Sequence, residues 1–143
     1  MTSSGGGGGN DVISGDRGHD KIFTGAGRDH VFGGSLGDTI RTRRGRDLIF
    51  GQGGDDAILG GGGFDRIQGG RGFDDLNGGR GSDDYSGGGR DDCITSKDGY
   101  ADVIHGGRGH DYAFVDRRRP KDEVHGVESL GKVCAARPVA RYS

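Results

Sequence analysis

Residues 60–79 read GGGGFDRIQGGRGFDDLNGG, which is nearly the same nine letters twice. Each copy offers two glycines, a free position, a third glycine, a free position, an aspartate, a free position and then Ile67 or Leu76. Neither the helical period nor the strand period demands Gly and Asp on a beat of nine, so the structural unit is a repeat and not an isolated element.

The beat extends outward in both directions. From Gly6 the chain reads GGGGNDVIS, GDRGHDKIF, TGAGRDHVF, GGSLGDTIR, TRRGRDLIF, GQGGDDAIL, GGGGFDRIQ, GGRGFDDLN, GGRGSDDYS and GGGRDDCIT. Asp stands sixth throughout, as Asp11, Asp20, Asp29, Asp38, Asp47, Asp56, Asp65, Asp74, Asp83 and Asp92. The eighth place runs Ile13, Ile22, Val31, Ile40, Ile49, Ile58, Ile67, Leu76, Tyr85, Ile94. At Ser96 the beat slips by one, then resumes with Asp102 and Asp111; a looser echo holds Asp122 and Val124. The pattern GGxGxDxUx resembles the RTX (haemolysin-type calcium-binding) nonapeptide repeat family. That resemblance implies an all-β fold, a right-handed parallel β-roll in which each nonamer is a half-turn: six residues of calcium-binding loop, then three of strand.

Composition agrees that no ordinary core is present. Only 29% of the 143 residues are hydrophobic, Trp is absent and 35 residues are Gly. Such a chain buries too little apolar area to offset its backbone entropy, so something other than a core must hold it. Of 22 acidic residues only Glu123 and Glu128 are Glu, a bias toward the short carboxylate that suits turns and hard-cation sites. Of 20 cations only Lys21, Lys97, Lys121 and Lys132 are Lys, a preference for Arg that the repeat does not explain.

The chemistry follows from the spacing. In triplets such as RIQ or KIF only the middle residue faces inward, giving a thin aliphatic ladder. If two nonamers make one coil, residues eighteen apart stack about 4.8 Å from each other. Asp11, Asp29, Asp47, Asp65 and Asp83 then line one edge and Asp20, Asp38, Asp56, Asp74 and Asp92 the other. Two carboxylates about 5 Å apart repel by roughly 3 kcal/mol at an effective dielectric near 20. A divalent cation reverses that sign, and carboxylates with carbonyls, without thiolate or imidazole, favour calcium over magnesium. Asp as a mere turn former in a metal-free solenoid fits less well, because a turn also accepts Asn, Ser or Gly and this column accepts none.

The expected metal ligands are therefore those ten aspartates with Asp102 and Asp111. Backbone carbonyls join them where three consecutive blocks keep every glycine: Gly60, Gly61, Gly63, Gly69, Gly70, Gly72, Gly78, Gly79 and Gly81. Sites weaken where the pattern erodes, at Asp16, Thr24, Thr42, Arg43 and Gln52 and at Leu36, Arg90 and Tyr100, since a Cβ in a left-handed turn costs about 1 kcal/mol. Loading about eight Ca2+ would carry the formal charge from -2 to about +14 and suit anionic cell-surface polymers as partners.

The expected organisation is a disordered start at 1–5, a roll over 6–114 and a C-terminal cap over 115–143 that uses Val127, Leu130 and Val133. The slip at Ser96 leaves the pairings of Asp83 with Asp102 and Asp92 with Asp111 open. Cys93 and Cys134 could form one disulfide or stay as two thiols. Val12, Phe32, Leu48 and Phe50 fall on one outer face, as strand formers or as a docking patch. His19, His30, His105, His110 and His125 occupy different repeat positions and form no common set. No Walker, GxSxG or HExxH motif occurs, no specific nucleic-acid motif is present, and no apolar run could span a membrane. The expected function is a non-catalytic calcium-folded module of an exported bacterial protein, secreted without an N-terminal signal peptide and following an upstream domain of a longer parent. A calcium-stiffened adhesive spacer is the alternative.

Overall fold

A computed structural model describes residues 3–116 and 121–131; Val133 and Cys134, and with them the disulfide and part of the cap, lie outside the described residues. The described chain contains strands and loops and no helix. It alternates between two parallel sheets, one strand of each per coil. The first sheet follows Ser3–Gly5, Lys21–Phe23, Thr39–Arg41, Ala57–Gly63, Asp75–Arg80, Cys93–Thr95, Tyr112–Phe114 and Ser129–Leu130. The second follows Val12–Ser14, His30–Ser35, Leu48–Gly53, Arg66–Arg71, Asp84–Gly89, Val103–Arg108 and Glu123–His125. Consecutive members of a sheet never neighbour each other in sequence, which makes the molecule a β-solenoid of about six turns.

Register is the eighteen-residue step that the repeat predicts. Ile40 pairs with Ile58 and Ile58 with Leu76 in one sheet, and Val31 with Ile49 and Ile49 with Ile67 in the other. Among the described residues the two inward columns meet as the core, with Ile22, Val31, Ile40, Ile49, Ile58, Ile67, Leu76, Tyr85, Ile94, Ile104, Ala113 and Val115 all buried. Each buried aliphatic side chain contributes about 2 kcal/mol, so the ladder alone is a modest source of stability. Tyr85 fits because its hydroxyl is satisfied: it accepts from the Gly78 amide at 2.8 Å and donates to the Thr95 carbonyl at 3.3 Å.

Three features depart from the expectation. Many strands run six residues instead of three, because the first loop positions also pair between coils, as in Gly34 with Gln52 and Ser35 with Gly53. The start at 1–5, expected to be disordered, carries a strand, Ser3–Gly5, paired with Lys21–Phe23. The sheets also pass the 114/115 boundary, since Glu123–His125 pairs with Val103–His105 and Ser129–Leu130 with Tyr112–Ala113. The extra residue near Ser96 is absorbed in its loop, so Tyr85 pairs with Ile104 and Ile94 with Ala113 across nineteen residues.

Glycine is required where coils approach most closely. Gly63 has φ 141°, and a Cβ there would overlap the Gly45 carbonyl of the preceding coil. At Gly62, φ is not left-handed and the nearest atom to such a Cβ, the Arg80 carbonyl oxygen, lies 3.6 Å away. Gly63→Ala is therefore expected to lower the urea midpoint strongly, by the equivalent of at least about 1 kcal/mol, while Gly62→Ala leaves it nearly unchanged.

Candidate metal centre

Loops at 6–11, 24–29, 42–47, 60–65, 78–83 and 96–102 stack on one edge of the roll, and loops at 15–20, 33–38, 51–56, 69–74, 87–92 and 106–111 on the other. Each loop ends on its aspartate, whose carbonyl continues the sheet while its side chain turns back along the edge. One carboxylate oxygen is fixed by the coil before: the Asp47 amide donates to Asp65 Oδ1 at 2.9 Å, and the Asp56 amide to Asp74 Oδ1 at 2.9 Å. The same bond joins Asp11 to Asp29, Asp29 to Asp47, Asp65 to Asp83, Asp20 to Asp38, Asp38 to Asp56 and Asp74 to Asp92. The sequence leaves two pairings open, and both are made: Asp83 to Asp102 at 2.7 Å and Asp92 to Asp111 at 2.8 Å.

Two further members were not in the expected set. The Asp102 amide donates to Asp122 at 3.1 Å, and the Asp111 amide to Glu128 Oε2 at 2.7 Å. The echo DEVHG hinted at Asp122; Glu128 carries no repeat signal, because its longer side chain reaches the column from an irregular segment.

The other carboxylate oxygen is what makes the edge a candidate cation site. Oδ2 of Asp29, Asp38, Asp56, Asp65, Asp74, Asp92, Asp102 and Asp111 is buried without a hydrogen-bond partner. Buried polar atoms are rarely left so, and a repeated set of them calls for a missing counter-charge. The opening glycine leaves these oxygens uncovered. A Cβ at Gly60 would lie 2.6 Å from Asp65 Oδ2 and 2.8 Å from the Gly78 carbonyl oxygen; at Gly33 it would lie 2.7 Å from both Asp38 Oδ2 and the Gly51 carbonyl oxygen. Those separations approach the roughly 2.3–2.6 Å of calcium–oxygen ligation, so the opening glycine keeps clear a point that carboxylate and carbonyl oxygens both face.

The family model of the RTX calcium-binding nonapeptide repeat matches four times, over residues 5–40, 32–67, 59–92 and 98–116. The chain belongs to the RTX calcium-binding repeat family. No curated protein and no solved structure matches it.

The expected glycine carbonyls fall at three places of the RTX loop. Gly60, Gly69 and Gly78 open it, Gly61, Gly70 and Gly79 come second, and Gly63, Gly72 and Gly81 fourth. Gly69 and Gly78 turn their carbonyls toward the opening glycine one coil back, Gly51 and Gly60. Gly61, Gly63 and Gly70 instead face Gly79, Gly81 and Gly88 of the next coil. Gly60 differs, since its carbonyl accepts the Thr42 hydroxyl. At Leu36 and Arg90 the backbone keeps the glycine path, with φ of 73° and 80°, so these loops carry strain and still hold their shape.

Electrostatics in the metal-free RTX roll oppose ionisation. Burial pushes Asp56, Asp92 and Asp102 up to about 8, Asp65 and Asp74 to about 7, and Asp38 and Asp83 to about 6. The amide bond from the preceding coil pulls each of them down, and neighbouring carboxylates push up. The unfolded chain ionises its aspartates near 4, so the folded state binds more protons in between. Stability of the metal-free roll is thus fully present below about pH 4 and is lost as pH rises through about 6 to 8. Circular dichroism after complete removal of divalent ions should show strand content near pH 4 that has fallen by pH 8. With calcium present the trend reverses, because protons and the cation compete for the same oxygens.

Proposed function

We propose that this chain is a non-catalytic module of an exported bacterial protein that folds when it meets calcium outside the cell. The observation that carries the reading is the pair of buried aspartate columns, in which carboxylates such as Asp65 and Asp74 have one oxygen bonded to an amide and the other buried without a partner. Outside the aliphatic ladder the described residues hold no second core, so the energy that closes the loops has to come from neutralising these columns. Because each ion would join two coils, loading is cooperative along the stack. In this reading calcium is held by aspartates of the expected set of twelve together with glycine carbonyls, and folding is withheld where free calcium is scarce.

A second reading, an adhesive segment stiffened by calcium, draws on one surface groove. Arg28, Arg46 and Arg66 line it with His30 and the exposed Phe64, and Arg46 lies over the Phe64 ring at 5.8 Å. With the columns neutralised, this face would offer net positive charge and an aromatic platform to an anionic cell-surface polymer.

Calcium titration followed by circular dichroism tests the first reading. A cooperative gain of strand signal at pH 7.5 is expected. Asp74→Ala should raise the calcium midpoint at least several-fold, whereas Asp84→Ala, which removes only the exposed ion pair with Arg66, should leave it within about twofold. Strand signal already complete in chelator would sink the reading. For the second, retention on a heparin column should require calcium and weaken in Arg28→Ser/Arg46→Ser; equal retention in chelator would contradict it.

A further inference from the structure

The two edges of the roll are not alike. On the second edge every loop opens on glycine: Gly15, Gly33, Gly51, Gly69, Gly87 and Gly106. The residue after it is left-handed each time, at Gly34, Gly70, Gly88 and Gly107, and even at Asp16 and Gln52, with φ of 67° and 76°. On the first edge, loops 24–29 and 42–47 open on Thr24 and Thr42, both buried. The next residues, Gly25 and Arg43, are not in the left-handed region, and the chain runs on as short strands, Ala26–Gly27 paired with Arg44–Gly45. At Gly61 and Gly79 the first edge returns to the glycine geometry.

A threonine at this place stands where the cradle is open elsewhere. The corresponding point at Gly60 is 2.6 Å from Asp65 Oδ2, so a side chain there and an ion beside the carboxylate exclude each other. The Thr42 hydroxyl donates to the Gly60 carbonyl and sits close enough to the Asp47 carboxylate to favour its charged form, without hydrogen-bonding its Oδ2. It therefore occupies the gap between the same two groups, carboxylate and next-coil carbonyl, that frame the point at Gly60. Thr24 stands one coil earlier in the same column.

We propose that Thr24 and Thr42 close two calcium sites of the first edge, between loops 24–29 and 42–47 and between loops 42–47 and 60–65. The Thr42 side chain also bonds its coil to the next without metal, whereas Thr24 fills its cradle by bulk alone, its hydroxyl making no hydrogen bond. The roll is thus asymmetric: every loop of its second edge opens on glycine, whereas on its first edge the loops that open on Gly60 and Gly78 keep the cradle and those that open on Thr24 and Thr42 lose it. This rests on calcium loading between coils, as proposed above.

Native mass spectrometry of the full chain at saturating calcium counts the ions directly. Thr24→Gly and Thr42→Gly should each take up one ion more than the wild type, and the double variant two more. Thr42→Val, which keeps the bulk and removes the hydroxyl, separates filling from ligation: it should keep the wild-type count and fold less stably. Equal counts in wild type and both glycine variants would overturn the assignment, as would loss of an ion in Thr42→Val, which would make the hydroxyl a ligand. A wild type that takes up no calcium would overturn the calcium reading itself along with this one.

Discussion

A carboxylate buried against another carboxylate is the constraint on which the rest of this fold depends. From Asp29 to Asp111 each column aspartate gives one oxygen to an amide of the preceding coil, a charge-assisted bond of about 1.5–3 kcal/mol, and that bond holds the edge in register. The same bond draws the next charge into the column, where burial disfavours it. The loops are glycine-rich because space must be left beside the second oxygen, and the core stays thin because the sheets are held at their edges rather than from within. Without a counter-charge the local preferences of the chain and its global fold disagree at every loop, which is a landscape that favours the unfolded state.

The repeat made the architecture unusually legible. A column of Asp and a column of Ile at a common period leave only one way to stack parallel strands, and the eighteen-residue register follows from alternation alone. What was not legible lies off the repeat. Glu128 joins a column through the length of its side chain, and Ser96 displaces the count without displacing the strands. Nor could erosion of the glycine pattern be ranked by sequence: Gln52 and Leu36 follow the glycine path, whereas the backbone at Arg43 leaves it. The loop at Arg43 also differs in its opening residue, Thr42 where the other two have Gly51 and Gly33.

The positions that the repeat leaves free are also not idle. Phe32 and Phe50 stack in adjacent coils with centroids 5.3 Å apart, and Arg90 lies over the ring of Phe73 at 5.4 Å. Guanidinium groups stack on aromatic faces in a way that ammonium groups do so less readily, which gives part of the preference for arginine a physical reason. These exposed contacts are each worth about 0.5–1 kcal/mol, small beside the columns, yet they add to the same coil-to-coil adhesion.

The eighteen-residue register has a mechanical corollary. One coil adds about 4.8 Å to the length of the roll but stores roughly 60 Å of extended backbone. Hydrogen bonds between coils run along the axis, so tension applied to the two ends would open them one row after another, as a zip, and never shear a whole sheet at once. A stack of this kind behaves as a reel, paying out more than ten times the length of each coil it surrenders and rewinding from whichever coils remain closed.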